Sequence, residues 1–232
     1  MQGGPLWIRD ILAVHIVAGG LCLVLAPIAL ALTKGGRWHR RWGTLYFWSM
    51  GAVAATALPL AMVRSVLFLA LVAVLSFYLT FSGYRVLRLK DLAQGGSAKP
   101  IDWAAAVLTF AACACLAGFA LYRPAWVQNM GIVAIVLGLL GMRAAAADIY
   151  RFVRKPTQRL FWLTVHLEKF IASYIAAWTA FSVVTLSRLF PHATLAVWLW
   201  PATIGVPAIA LTVVYYRRKY AGASTQSLPS PA

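Results

Sequence analysis

The sequence predicts an all-α, polytopic integral membrane protein: a bundle of seven transmembrane helices with the N-terminus outside and the C-terminus in the cytoplasm. Three observations lead there. Hydrophobic residues make up 62% of the 232-residue chain and charged residues only 11%, against about 25% charged in a typical soluble domain. The apolar residues gather into runs of about 20, the length that crosses a bilayer as a helix. The basic residues bunch in the connections between alternate runs, as the positive-inside rule requires.

In chain order the spans are expected at 11–32, 43–63, 66–88, 103–122, 127–149, 160–187 and 194–216. Ile11–Leu32 is too long for the apolar core of a cleaved signal peptide and long enough to span. The second and third runs are almost continuous, and dividing them near Arg64 gives two helices of spanning length. Pro27, Pro59 and Pro207 fall within spans, where kinks are expected. Gly138, Gly141 and the small residues Ala104–Ala106 and Ala144–Ala147 let helices 4 and 5 approach neighbours closely. Gln94–Lys99 (QGGSAK) reads as a flexible linker. The domain division is then an external segment 1–10, a transmembrane domain 11–219 and a disordered cytoplasmic tail 220–232.

Orientation comes from the loops. Fifteen Lys and Arg follow helices 1, 3, 5 and 7, whereas only Arg9, Arg64, Arg123 and Arg188 lie on the other side. Trp7, Tyr122, Trp126, Trp198 and Trp200 suit the outer interface, and Trp38, Trp42, Trp103, Trp162, Tyr215 and Tyr216 the inner one. The net charge of +16 is thus a topological signal. No basic stretch has the extent of a nucleic-acid-binding surface, so the expected surroundings are the lipid bilayer. Cys113 and Cys115 point to nearly opposite faces of a helix and cannot share a metal. No zinc-ligand spacing occurs.

An ionisable group within a span is costly and marks a candidate site. The candidates are His15, Arg143, Asp148, His166, Glu168 and Lys169, with His39 and Arg85 at the inner boundary. Each also has a plainer role. His15 serves as a hydrogen-bonded packing residue. Arg85 and Arg143 reach phosphates, Asp148 pairs with Arg151 three residues on, and His39 joins a basic headgroup contact. The His166-Leu167-Glu168-Lys169 run is hardest to explain without a cavity. His166 and Lys169 share a helical face and Glu168 opposes them, so His166 and Lys169 face a cavity while Glu168 bonds a neighbouring helix, or the reverse. Because most of these groups share the inner half, helices 2, 3, 5 and 6 are expected to enclose a cavity open to the cytoplasm, with His166 in its wall and bonded to another of these residues.

The pattern Lys34-Gly35-Gly36-x-x-His39-Arg40-x-x-Gly43-x-x-Tyr46, with His15-x-x-x-Gly19 before it, resembles a prokaryotic membrane-protein family called domain of unknown function 2306. So do Tyr78-Leu79-x-x-x-Ser82-Gly83-Tyr84-Arg85 and the run from His166 through Ala172-x-Tyr174 to Phe181. The similarity covers most of residues 11–187. It implies a bacterial cytoplasmic (inner) membrane location, groups His15, His39 and His166 as a set, and supplies no reaction. Glu168 and Lys169 depart from the family's pattern.

Three functions remain open. The cluster of His39, Arg85, Arg143, Asp148, His166, Glu168 and Lys169 suits a small anionic or amphipathic ligand to be bound or moved. His39 and His166 start helices that run the same way, so they suit the axial ligands of a b-type haem, or a quinone site, with His15 a further candidate ligand. The third reading is a non-catalytic assembly or lipid-contacting protein. A zinc hydrolase lacks its His-x-x-x-His spacing, no Ser-His-Asp set is evident, and a retinal protein would need a lysine within helix 7.

Overall fold

The computed structural model describes residues 6–64, 67–122, 131–158, 160–190, 192 and 194–225. Among them the chain forms seven long helices and two short 3-10 turns: α1 (Leu6–Ala31), α2 (Arg37–Arg64), α3 (Leu67–Arg85), the turns Val86–Arg88 and Lys90–Gln94, α4 (Pro100–Tyr122), α5 (Gly131–Val153), α6 (Phe161–Leu186) and α7 (Thr194–Thr225). All seven helices are long and apolar enough to cross a membrane, and the chain is a multi-pass membrane protein. Helices satisfy every backbone group within one segment, which is what a span without water requires. α2 does end at Arg64, where the near-continuous apolar run was divided. α1 starts five residues before its expected start, and α7 continues to Thr225 rather than ending at 216. Arg123, Trp126, Arg159 and residues 226–232 lie outside the described residues.

Successive helices run antiparallel. The turns after α1, α3 and α5 and the C-terminus of α7 therefore share one end of the bundle, called here the basic end for the lysines and arginines it gathers. α1 packs on α2, α2 on α3, α3 on α6 and α6 back on α1, which closes a four-helix ring. The α4–α5 hairpin lies against α3, and α7 lies against α6. The ring is filled by Cys22, Leu25, Ala26, Tyr46 and Met50, with Trp42, Phe77, Phe170 and Tyr174 packed around them. Tyr46 donates its hydroxyl proton to Ser173 Oγ at 2.8 Å, because the Ser173 proton is committed to the Phe170 carbonyl. Outward faces carry large apolar residues such as Leu108, Ile204 and Leu211, the inverse of a soluble surface.

Glycine sets several close approaches between helices. A Cβ on Gly138 would lie 2.9 Å from that of Ala117, and one on Gly141 would collide with Cys113 Sγ. Small residues thus bring α4 and α5 together, as expected for these two helices. A Cβ on Gly83 would lie 2.9 Å from Phe170 Cδ2 and 3.0 Å from Lys169 Cβ, so α3 meets α6 there.

The segment between α3 and the stretch expected as a flexible linker is packed. Leu89 and Leu92 bury themselves with Val86, Phe161 and Val165, which pins the chain under α6. Gly95 takes φ 94°, a left-handed conformation natural to glycine, and Gly96 N–H closes the turn on the Asp91 carbonyl at 2.9 Å. Trp198, expected at the outer interface, is instead buried against Val72 and Val133.

Candidate functional site

A cavity of about 240 Å³ opens at the basic end of the four-helix ring. The end of α1 and its turn contribute Ala29, Leu30 and Lys34; α2 contributes His39, Arg40, Gly43, Thr44 and Tyr46. Tyr84 of α3, Leu87 and Arg88 of the first 3-10 turn, and His166, Phe170 and Tyr174 of α6 complete the wall. Its volume falls just below the roughly 300–1,000 Å³ usual for small-molecule sites.

The two histidines arrive there by capping helices. The last carbonyls of an α-helix lack partners within it. His39 Nδ1 lies 2.9 Å from the Ala29 carbonyl at the end of α1, and His166 Nδ1 lies 2.9 Å from the Gly83 carbonyl near the end of α3. A carbonyl only accepts, so both imidazoles carry their proton on Nδ1. In the neutral ring each Nε2 is then an acceptor. Both rings line the cavity, and among the described residues neither Nε2 makes a hydrogen bond. The two rings face each other edge to face with centroids 6.3 Å apart. Their approach depends on the α1–α2 turn, where Gly35 at φ 79° reverses the chain and sets His39 beneath the end of α1.

Three cations accompany them. Lys34 reaches the carbonyls of Ala29, at 3.4 Å, and Leu30, and its burial holds its pKa below the usual lysine value. The Arg88 guanidinium lies 5.4 Å from the centre of the Tyr84 ring. Arg40 is the third. No carboxylate lines the cavity among the described residues.

Asp148 and Asp102 are committed elsewhere, to a network between α3, α4, α5 and α6. Asp148 takes Arg151 Nη1 at 2.9 Å, the Tyr78 hydroxyl at 2.6 Å and the Lys169 ammonium. Lys169 also donates to Ser82 Oγ at 2.7 Å. Arg85 grips Asp102 with two parallel bonds, Nε to Oδ1 at 2.6 Å and Nη2 to Oδ2 at 2.8 Å. Asp102 also accepts the Lys99 backbone N–H at 2.9 Å; it stands at the third position of α4, behind Pro100 at the first, so it caps the helix as it pairs. Between the two ion pairs is a space of about 20 Å³, room for about one water.

The expected single cluster is therefore two. His39 and His166 meet in the cavity, whereas Arg85, Asp148 and Lys169 belong to the buried network. His166 and Lys169 do not face a common cavity: one turns to the ring's interior and the other towards α5, because three residues leave them about 60° apart on the helix. His166 bonds a backbone carbonyl, not another of the ionisable side chains. α1 takes the place expected for α5 in the cavity wall. Arg143 faces outward with its side chain 77% exposed, and Glu168, 39% exposed, lies 4.0 Å away. His15 Nδ1 lies 2.9 Å from Thr56 Oγ1, whose own proton goes to the Ala52 carbonyl, in the half of the bundle away from the cavity. Lys34, Arg40, Tyr84, Arg88, Asp102 and Tyr78 carry parts that the ionisable-group search did not assign. All but Arg88 and Asp102 lie in the stretches quoted for the family resemblance. The Lys99-x-x-Asp102 spacing was the available signal for the cap.

Among the described residues no group of three or more His, Cys, Asp or Glu side chains gathers as a metal site. Comparison with protein-family models, with curated proteins and with solved structures gives no match.

Proposed function

We propose that this chain is a protein of the bacterial cytoplasmic membrane, N-terminus outside, that binds a small amphipathic anion in its basic-end cavity from the cytoplasmic side. The observation that carries the reading is the chemistry of the wall. Lys34, Arg40 and Arg88 gather without a carboxylate, above apolar surface from Ala26, Leu30 and Phe170. Asp148 and Asp102 are held by Lys169, Arg151 and Arg85 and leave the cavity positive. Uncompensated cations beside a low-dielectric wall attract an anion, and the apolar floor takes its tail. Eight of the residues quoted for the resemblance to domain of unknown function 2306 line this wall, Lys34, His39, Arg40, Gly43, Tyr46, Tyr84, His166 and Tyr174, while His15, Tyr78, Ser82 and Arg85 lie elsewhere.

Fluorescence titration of the detergent-purified chain with dansyl-undecanoate tests it. Saturable binding is expected, and Lys34→Ala and Arg88→Ala should each weaken it about tenfold, some 1.4 kcal/mol. Equal binding by the variants, or equal binding of the uncharged dansyl-undecanamide, would remove the basis of the reading.

A further inference from the structure

We infer that the chain pairs with a second copy of itself in the membrane, across the outer face of α5 and α6, where Arg143 of each copy meets Glu168 of the other. The inference concerns a surface outside the cavity and does not depend on what the cavity binds.

Depth is the first observation. Arg143 stands ten residues before the end of α5 and twelve after its start. Its Cα is therefore about 15 Å from the basic end, about half the thickness of the hydrocarbon layer. That is farther than the side chain spans, so the headgroup phosphates of either face are out of its reach. Among the described residues no other exposed Lys, Arg, Asp or Glu is so far from both ends of its helix. Exposure is the second observation. The Arg143 side chain is 77% exposed and that of Glu168 39% exposed, although charged groups within a span ordinarily turn inward to a partner or to water. Arg85, Asp102, Asp148 and Lys169 obey that rule.

The third observation is that the two charges do not satisfy each other within one chain. Arg143 Nη1 and Glu168 Oε1 stand 4.0 Å apart, beyond hydrogen-bonding distance. Neither side chain makes a hydrogen bond among the described residues. The guanidinium has five N–H donors and the carboxylate accepts at both oxygens, so each has room for a further partner.

One cation beside one carboxylate makes a patch complementary to itself under a two-fold axis, the commonest symmetry of a homo-oligomer. The two groups stand side by side in one copy and so share a depth, and an axis along the membrane normal preserves it. Each Arg143 then meets the other copy's Glu168 without tilting, and four charges of alternating sign close on one another. The surroundings permit the approach. Leu139, Ala147 and Tyr150 fall on the helical face of Arg143. Leu139 and Tyr150 are exposed, and Ala147 is small enough to let a second helix come close. A lipid headgroup does not descend to this depth, whereas a second copy brings both an acid and a base to it.

Energy transfer between full chains carrying donor or acceptor fluorescent proteins at the C-terminus, reconstituted in phosphatidylcholine vesicles, tests the inference. Wild type should transfer well above the level of random encounters at the same surface density. Arg143→Glu gives a patch with two acids and Glu168→Arg a patch with two bases, so each variant alone should fall to the random level. Mixed in equal amounts, the two variants should regain wild-type transfer, because opposite charges again face each other across the axis. An ion pair internal to one chain predicts no such recovery, since neither variant carries both signs. Wild-type transfer at the random level, either variant alone pairing as wild type does, or a mixture no better than its components overturns the inference. Should a charge-reversal variant fail to fold, Arg143→Gln and Glu168→Gln take its place; each should lose most of the transfer, and undiminished transfer in both is equally contrary.

Discussion

Asp148 carries three partners, and Lys169 depends on it most. Both side chains are almost wholly buried, and a buried charge that loses its counter-charge costs about 3–5 kcal/mol. Asp148→Ala leaves Lys169 with Ser82 Oγ and the face of the Tyr78 ring but no counter-charge in contact, and should lower the detergent melting temperature sharply. Lys169→Met leaves Asp148 with Arg151 and Tyr78 and should cost less; combining the two should recover part of the loss, since the residues share one network. Additive losses in the double variant would refute the pairing. At this scale the sequence was half legible. The Asp148–Arg151 spacing and the cost of a buried charge point to Asp148 without a structure. Which neighbour Lys169 meets does not follow from spacing, because a helical face says where a side chain points and not what waits there. Asp102 escaped notice because it stands at the start of a span, where a charge looks unremarkable until Arg85 arrives from α3.

The helices themselves were readable because lipid imposes their length and the apolar runs obey it. Their boundaries moved where local chemistry outweighed hydropathy, as at α4, whose start is set by Pro100 and Asp102 rather than by the first apolar residue. Just before the Gln94–Lys99 stretch, Leu89 and Leu92 pack under α6, which composition alone does not disclose. Two Gly-x-Arg sequences, Gly83-Tyr84-Arg85 and Gly141-Met142-Arg143, play different parts in three dimensions. Gly83 fits α3 to α6 and its Arg85 is paired, whereas Gly141 fits α4 to α5 and its Arg143 faces outward. Gly83→Ala places a methyl against Lys169 Cβ, which α6 holds in place, and should cost about 1–3 kcal/mol as an overpacked contact. It should also disturb the Gly83–His166 bond and so weaken dansyl-undecanoate binding. Gly118→Ala, which meets nothing within 4 Å, is the matched control, and equal melting of the two variants would count against the tight α3–α6 contact.

Across the whole molecule, two arrangements follow from one ring. Inside α1, α2, α3 and α6 the basic end is hollow and positive; outside it, between α3 and the α4–α5 hairpin, the charges are paired. The loop charges set the direction in which this asymmetry faces. A reporter fused after Lys219 should read as cytoplasmic and one at the N-terminus as external, and both on one side would end the seven-span arrangement. The most direct measurement of the central claim joins direction to cavity. Thr44 lines the cavity and can be made its only thiol, as Thr44→Cys in a chain with Cys22, Cys113 and Cys115 replaced by alanine. In inverted membrane vesicles, a charged, membrane-impermeant maleimide should label this thiol, and dansyl-undecanoate should slow the labelling. In right-side-out vesicles the same reagent should leave it untouched. Labelling only from the external face, or labelling that dansyl-undecanoate leaves unchanged, would contradict a cytoplasm-facing cavity that binds an amphipathic anion.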